Sequence, residues 1–81
     1  MKTIILNKLN PTSGRISKLF NRFLDFKILK GTVSIEWQGL FGSITNTYSA
    51  GTELKEVNLA DVVNMEFRAA TDAEVEYFLY P

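Results

Sequence analysis

Hydrophobic and polar positions alternate with a period of two along most of this chain, the pattern of strands with one buried face. It is clearest in residues 32–38, with Val33, Ile35 and Trp37 on one side and Thr32, Ser34 and Glu36 on the other. Residues 23–30 set Leu24, Phe26 and Ile28 against Asp25 and Lys27. Val63, Met65 and Phe67 alternate with Asn64, Glu66 and Arg68, and Val75, Tyr77 and Leu79 with Glu74 and Glu76. Ile4 and Leu6 give residues 2–8 one apolar side, although Ile5 lies on the other. Ile44 to Tyr48 continues the pattern, and Leu54, Val57 and Leu59 mark a weaker strand. Gly31, Gly39-Leu40-Phe41-Gly42, and residues 49–52, 58–61 and 69–73 supply turns. About seven short strands at spacings of about 8–12 residues predict an antiparallel β-sandwich or barrel, an all-β fold. The expected core is Val33, Ile35, Trp37, Val63, Met65, Phe67, Val75, Tyr77 and Leu79.

Residues 13–24 resist this pattern. Ile16, Leu19, Phe20, Phe23 and Leu24 recur at helical offsets, with Arg15, Lys18 and Arg22 on the polar side and Thr12 or Ser13 available as a cap. A basic amphipathic helix can lie on a membrane or dock in a partner's groove. The segment makes only about three turns, and helices below about 12–15 residues are marginal without tertiary packing. That favours a short core-facing helix or an irregular arm crossing the sandwich. Asn10-Pro11 separates it from the first strand. The chain thus reads as one domain over residues 1–81, with a strand and basic arm in 1–20 and a β body in 21–81.

Composition narrows the chemistry. With 81 residues the core is small. An apolar fraction of 46% with zero net charge argues against disorder and against a wholly basic nucleic-acid-binding domain. The chain has no cysteine and no histidine. Disulfides, zinc–thiolate sites, imidazole ligands and the commonest general base are therefore absent. No serine has a histidine to activate it, and no lysine sits in a pattern that would bury it beside a serine. Glu53, Glu56 and Asp61 are close in sequence, but they lack a calcium-loop pattern and read as a solvated face. The expectation is a protein that is not an enzyme and needs no cofactor or metal. No apolar run approaches the roughly 20 residues of a membrane span, and residues 1–9 lack a secretory apolar stretch.

Zero net charge conceals an asymmetry. Residues 1–30 carry seven basic residues against Asp25 alone, and residues 31–81 carry eight acidic residues against Lys55 and Arg68. The two parts can attract each other within one domain by cross-strand pairing. They can also orient a second copy, which would make association sensitive to salt. Phe20, Phe23 and Phe26 lie among the basic residues and could stack bases, but no nucleic-acid motif accompanies them.

Contact surfaces are the remaining candidates. Leu40 and Phe41 fall in a hairpin loop, and Phe78 and Tyr80 take the polar-side parity of the last strand. Exposed aromatic residues anchor interfaces unless the chain's own arm covers them. With the basic arm, this gives Arg15, Lys18, Phe20, Arg22, Leu40, Phe41, Phe78 and Tyr80 as candidate interaction residues.

Two stretches carry a resemblance. Residues 21–37, from Asn21-Arg22-Phe23-Leu24-Asp25-Phe26 to Val33-Ser34-Ile35-Glu36-Trp37, resemble the opening of small bacteriophage virion proteins. There an arginine–aromatic segment leads through one strand into a Val-x-Ile/Val strand. Residues 62–77, from Val62-Val63-Asn64-Met65 through Ala69-Ala70-Thr71-Asp72 to Val75-Glu76-Tyr77, are similar to their ending, in which a small-residue turn separates two strands. The resemblance covers about residues 21–80, and residues 1–20 have no counterpart in it. It implies a small β-sandwich protein of the virion that binds capsid or portal-vertex proteins and self-associates as a homo-oligomer. It carries over no catalytic residue. The alternative expectation is a small phage-encoded inhibitor or adaptor that binds a host protein or nucleoprotein in the host cytoplasm. Nucleic-acid and membrane partners are not expected.

Overall fold

The computed structural model describes residues 1–81, and all of its regular structure is strand. Eight strands form: β1 (Lys2–Leu6), β2 (Ile16–Ser17), β3 (Phe23–Lys30), β4 (Thr32–Gln38), β5 (Ser43–Ser49), β6 (Glu53–Asn58), β7 (Asn64–Arg68) and β8 (Ala73–Tyr80). They make two antiparallel sheets of four, ordered β1-β8-β3-β6 and β2-β7-β4-β5. Only the β4–β5 connection stays within one sheet; every other one crosses to the opposite layer. This is the sandwich that the alternation implied, with one more strand than the seven expected.

The additional strand lies in the segment with helical spacing. Residues 13–24 form no helix. The backbone of residues 13–18 is taken by the second sheet, while Phe23 and Leu24 open β3 in the first: Ser13 N–H donates to the Phe67 carbonyl at 2.9 Å, Ile16 and Ser17 pair with Met65 and Asn64, and Lys18 N–H donates to the Val63 carbonyl at 3.3 Å. Pairing with β7 satisfies groups that a three-turn helix would have to satisfy alone. Residues 1–20 are therefore integral to the body, supplying an edge strand to each sheet.

Inward residues of the strands meet between the layers. Leu24, Ile28, Val33, Ile35, Met65, Phe67 and Val75 are fully buried, and Phe26 and Tyr77 nearly so. Phe67 packs on Tyr77 and Phe26 on Tyr48, at centroid separations of 5.6 and 5.1 Å. Three expected core residues lie at the margin instead. Trp37 and Leu79 are half-buried, and Val63 is 40% exposed. Parity is kept at Trp37 and Leu79, but both stand near strand ends, where the opposite layer gives less cover.

Gly31 makes the sharp β3-to-β4 crossing. Its φ is +73°, and a Cβ there would stand 2.4 Å from the Asp72 carbonyl oxygen. A side chain is therefore excluded by both backbone angle and space. On β6, Leu24 pairs with Val57 and Phe26 with Leu54, so β6 has an extra residue. Glu56 absorbs it with φ +56°, forming a bulge. This explains how Leu54 and Val57, three apart, share one face.

Candidate interaction surface

Two turns stand side by side at the end of the sandwich opposite Gly31. In one, Asn21 N–H donates to the Lys18 carbonyl at 2.9 Å and puts Leu19 and Phe20 at the tip. In the other, Gly39 N–H donates to the Gly42 carbonyl at 2.8 Å and puts Leu40 and Phe41 at the tip. Each tip is thus a Leu-Phe pair, where turn chemistry ordinarily selects Gly, Asn, Asp or Pro. Exposure is 73% for Leu19, 96% for Phe20 and 83% for Leu40, and Phe41 is fully exposed. Leu19 also holds φ +52°, a left-handed conformation that costs a β-carbon-bearing residue about 1–2 kcal/mol. Strain of this kind persists only where neighbouring structure enforces it.

The neighbouring structure is the β6–β7 loop, which ties the two turns together. Val63 N–H donates to the Gln38 carbonyl at 2.7 Å at the root of the second turn. Lys18 reaches over with its ammonium to the Leu59 carbonyl at 2.6 Å and the Ala60 carbonyl at 3.4 Å at the root of the first. Gly39 lies so close to this loop that a Cβ would stand 2.7 Å from the Asp61 carbonyl oxygen. Between the turns runs an open groove of about 730 Å³, walled by Leu19, Trp37, Leu40, Phe41, Ile44 and Val63. Ile44 is 68% exposed although it points to the inner side of β5, because the opposite sheet does not extend over it.

A second aromatic surface lies on the outer face of the first sheet. Phe23, Tyr80 and Phe78 stack in a row, at centroid separations of 5.6 and 5.4 Å. Tyr80 donates its hydroxyl proton to Asp25 Oδ1 at 2.9 Å, and the same oxygen accepts the Glu56 N–H at 2.8 Å. Asp25 therefore pins both the bulge and the aromatic row. Desolvation first, and then the hydrogen bond to Asp25, raise the Tyr80 pKa above the ordinary tyrosine value.

The expected interaction residues divide between these places. Phe20, Leu40 and Phe41 belong to the apolar end, and Phe78 and Tyr80 to the aromatic row. Lys18 is committed to the loop carbonyls. Arg22 is exposed between the two surfaces, its backbone bonded to Tyr80 and Leu59. Arg15 is exposed beside the second sheet, where its charge reaches Glu66. The arm does not cover Leu40 and Phe41; it adds Leu19 and Phe20 to the same end. Leu19, Trp37 and Ile44 were missed as surface residues, and the available signal was the repeated Leu-Phe pair, at 19–20 and 40–41.

Charge is less paired than the cross-strand expectation held. Lys27 stands opposite Glu76 and Glu53, and Lys30 opposite Glu74, yet both ion pairs of the structure use Arg68, with Glu66 at 2.8 Å and Glu36 at 3.3 Å. The basic first part and the acidic remainder are not neutralised by contact. Hydrogen bonds from Thr12 and then Arg68 lower the Glu66 pKa below the ordinary glutamate range. No three His, Cys, Asp or Glu side chains converge as metal ligands would. No protein-family profile, curated protein or solved structure matches this chain.

Proposed function

We propose that this chain is a non-enzymatic structural protein of a bacteriophage particle, which seats its apolar end on a capsid or vertex protein and associates with copies of itself. The observation that carries the docking is the pair of Leu-Phe turns on one hydrogen-bonded base. The particle comes from the resemblance of residues 21–80 to small virion proteins. Magnitudes support an apolar anchor. Burying a Leu or Phe side chain contributes about 1.5–3 kcal/mol, so the tips offer about 6–12 kcal/mol. Association costs about 4–15 kcal/mol in lost freedom. The tips alone are of the same order as that cost, and the groove wall supplies the surplus. A partner that fits projects an apolar ridge between the turns.

Mass spectrometry of purified particles tests the reading. The chain is expected in particles at a fixed copy number set by particle symmetry. Its absence from particles, together with capture of one host protein, would overturn the reading in favour of an inhibitor.

A further inference from the structure

We infer that the β5 edge pairs with the β5 edge of a second copy, joining two second sheets into one continuous sheet across a two-fold axis. This gives a site to the self-association in the proposed reading and rests on that part of it; the docking end is a neighbouring surface that shares Ser43 and Ile44 with this edge and keeps both Leu-Phe tips outside it.

Three of the four sheet edges are defended. β6 carries Glu53, Lys55 and Glu56 and is bulged at Glu56. β2 has two residues, and β1 is flanked by Lys2 and Lys8. β5 has none of these protections. Its seven residues, Ser-Ile-Thr-Asn-Thr-Tyr-Ser, include no charge, glycine or proline, and all but Tyr48 are exposed.

The hydrogen-bond phase of β5 is fixed at both ends. Gly39 N–H bonds the Gly42 carbonyl, and Ala50 N–H bonds the Gly31 carbonyl. Bonded and non-bonded pairs alternate along an antiparallel ladder. In the β4–β5 register, Ile44, Asn46 and Tyr48 therefore bond to β4. Ser43, Thr45, Thr47 and Ser49 turn their N–H and C=O groups outward, with no strand beside them; of these the Ser49 carbonyl already accepts the Thr52 N–H at 3.1 Å and would take a second donor.

That outward set is self-complementary. With the two-fold axis at Asn46, Ser43 faces Ser49 of the second copy and Thr45 faces Thr47 of the second copy. Every outward group is then paired, in an isologous contact. Ile44 meets Tyr48 of the second copy on the inner side, which covers the exposed Ile44. The two Asn46 residues meet at the axis; Oδ1 of each already accepts the Trp37 indole N–H at 3.0 Å, leaving its amide N–H groups to donate. No like charges oppose. Antiparallel pairing also sends the Leu40–Phe41 turns of the two copies to opposite ends of the ladder, about 27–34 Å apart. The dimer would present two docking ends facing apart and could bridge two partner molecules.

Analytical ultracentrifugation of the full chain tests this, and the expected species is twice the 9.2 kDa of one chain. Thr45→Lys with Thr47→Lys crowds four ammonium groups around the axis and is expected to give a monomer. Thr45→Lys with Thr47→Glu places opposite charges face to face in this register only, and is expected to restore the dimer. Both side chains are exposed, so far-UV circular dichroism should report the native strand signal in each variant. A wild-type monomer at every concentration, a Lys/Lys variant that stays dimeric, or a Lys/Glu variant that stays monomeric would overturn the pairing. A dimer lost with Leu40→Ser/Phe41→Ser but kept in the Lys/Lys variant would move the contact to the turns and also overturn it. A monomer that still binds particles defeats the pairing alone, whereas a dimer that does not bind them defeats the docking alone.

Discussion

The two ends of the sandwich are closed by different chemistry. At the Gly31 end, the β3–β4 and β5–β6 crossings are laced together. Ala50 N–H bonds the Gly31 carbonyl, Gly51 N–H the Ile28 carbonyl and Ile28 N–H the Thr52 carbonyl, at 2.8 to 2.9 Å. Their turns carry Gly31, Ser49, Gly51 and Thr52, and the adjoining β7–β8 turn Thr71 and Asp72, all ordinary turn residues; the exposed leucine at this end, Leu9, lies in the loop after β1. The opposite end is also laced, through Gln38, Val63 and Lys18, yet its two tips carry Leu-Phe pairs. Holding the chain together therefore does not require leucine and phenylalanine in turns. The difference is what supports the proposal that the Leu-Phe end makes contact.

The largest expected effect reaches both ends together. Phe67 is fully buried between the layers, and Phe67→Ala should lower unfolding free energy by about 3–5 kcal/mol in a denaturant titration. For a small domain that is a large share of the total. Gly31→Ala comes next and strikes the closed end. The left-handed backbone and the overlap with the Asp72 carbonyl together cost about 2–5 kcal/mol, read as a lower thermal midpoint. Gly39→Ala strikes the apolar end, where the Asp61 carbonyl must move. Its stability cost is about 1–3 kcal/mol. Unlike Gly31→Ala, it should also weaken particle binding, because it displaces one turn from the shared loop.

What the sequence made legible follows the same division. Val33 and Ile35, Met65 and Phe67, and Val75 and Tyr77 are buried as their alternation required, because strand parity is a local property. Leu54 and Val57 obscured β6, since an odd spacing shares a face only through the Glu56 bulge, which Asp25 stabilises from another strand. Residues 13–24 misled through helical offsets that arose by accident: Ile16 belongs to β2, Leu19 and Phe20 to a turn, and Phe23 and Leu24 to β3. Trp37 and Val63 had the right residue types for a core, but overlap of the layers decides burial at strand ends. At the site, Leu40 and Phe41 were legible because glycines flank them. Leu19 was not, because its turn is set by Lys18, whose bonds run to Leu59, Ala60 and Val63 far along the chain.

The smallest expected effects lie on the outer faces of the two sheets. The lowered Glu66 pKa means that the folded state binds that proton less tightly than the unfolded chain. Its contribution is present above the ordinary glutamate pKa and is lost as pH falls through the lower folded value. Thr12→Ala removes the first cause of the shift and should shrink the loss of thermal midpoint in acid. Tyr80 has the opposite sign. Its raised pKa gives stability below the ordinary tyrosine value that is lost as pH rises through the folded one, and Tyr80→Phe should remove that alkaline loss.

Cosedimentation of the chain with purified particles compares the two ends directly. Leu40→Ser/Phe41→Ser alters one apolar tip, and Leu9→Ser removes the exposed leucine of the loop that follows β1, near Asp72 at the Gly31 end. Both changes are on the surface and should shift stability by no more than about 0.5 kcal/mol. Losing two buried apolar anchors is worth about 3–6 kcal/mol, so the tip variant should bind more than about 100-fold more weakly than wild type. The Leu9→Ser chain should bind as wild type does. Equal binding by the tip variant, or an equal loss with Leu9→Ser, would contradict the assignment of contact to the Leu-Phe end.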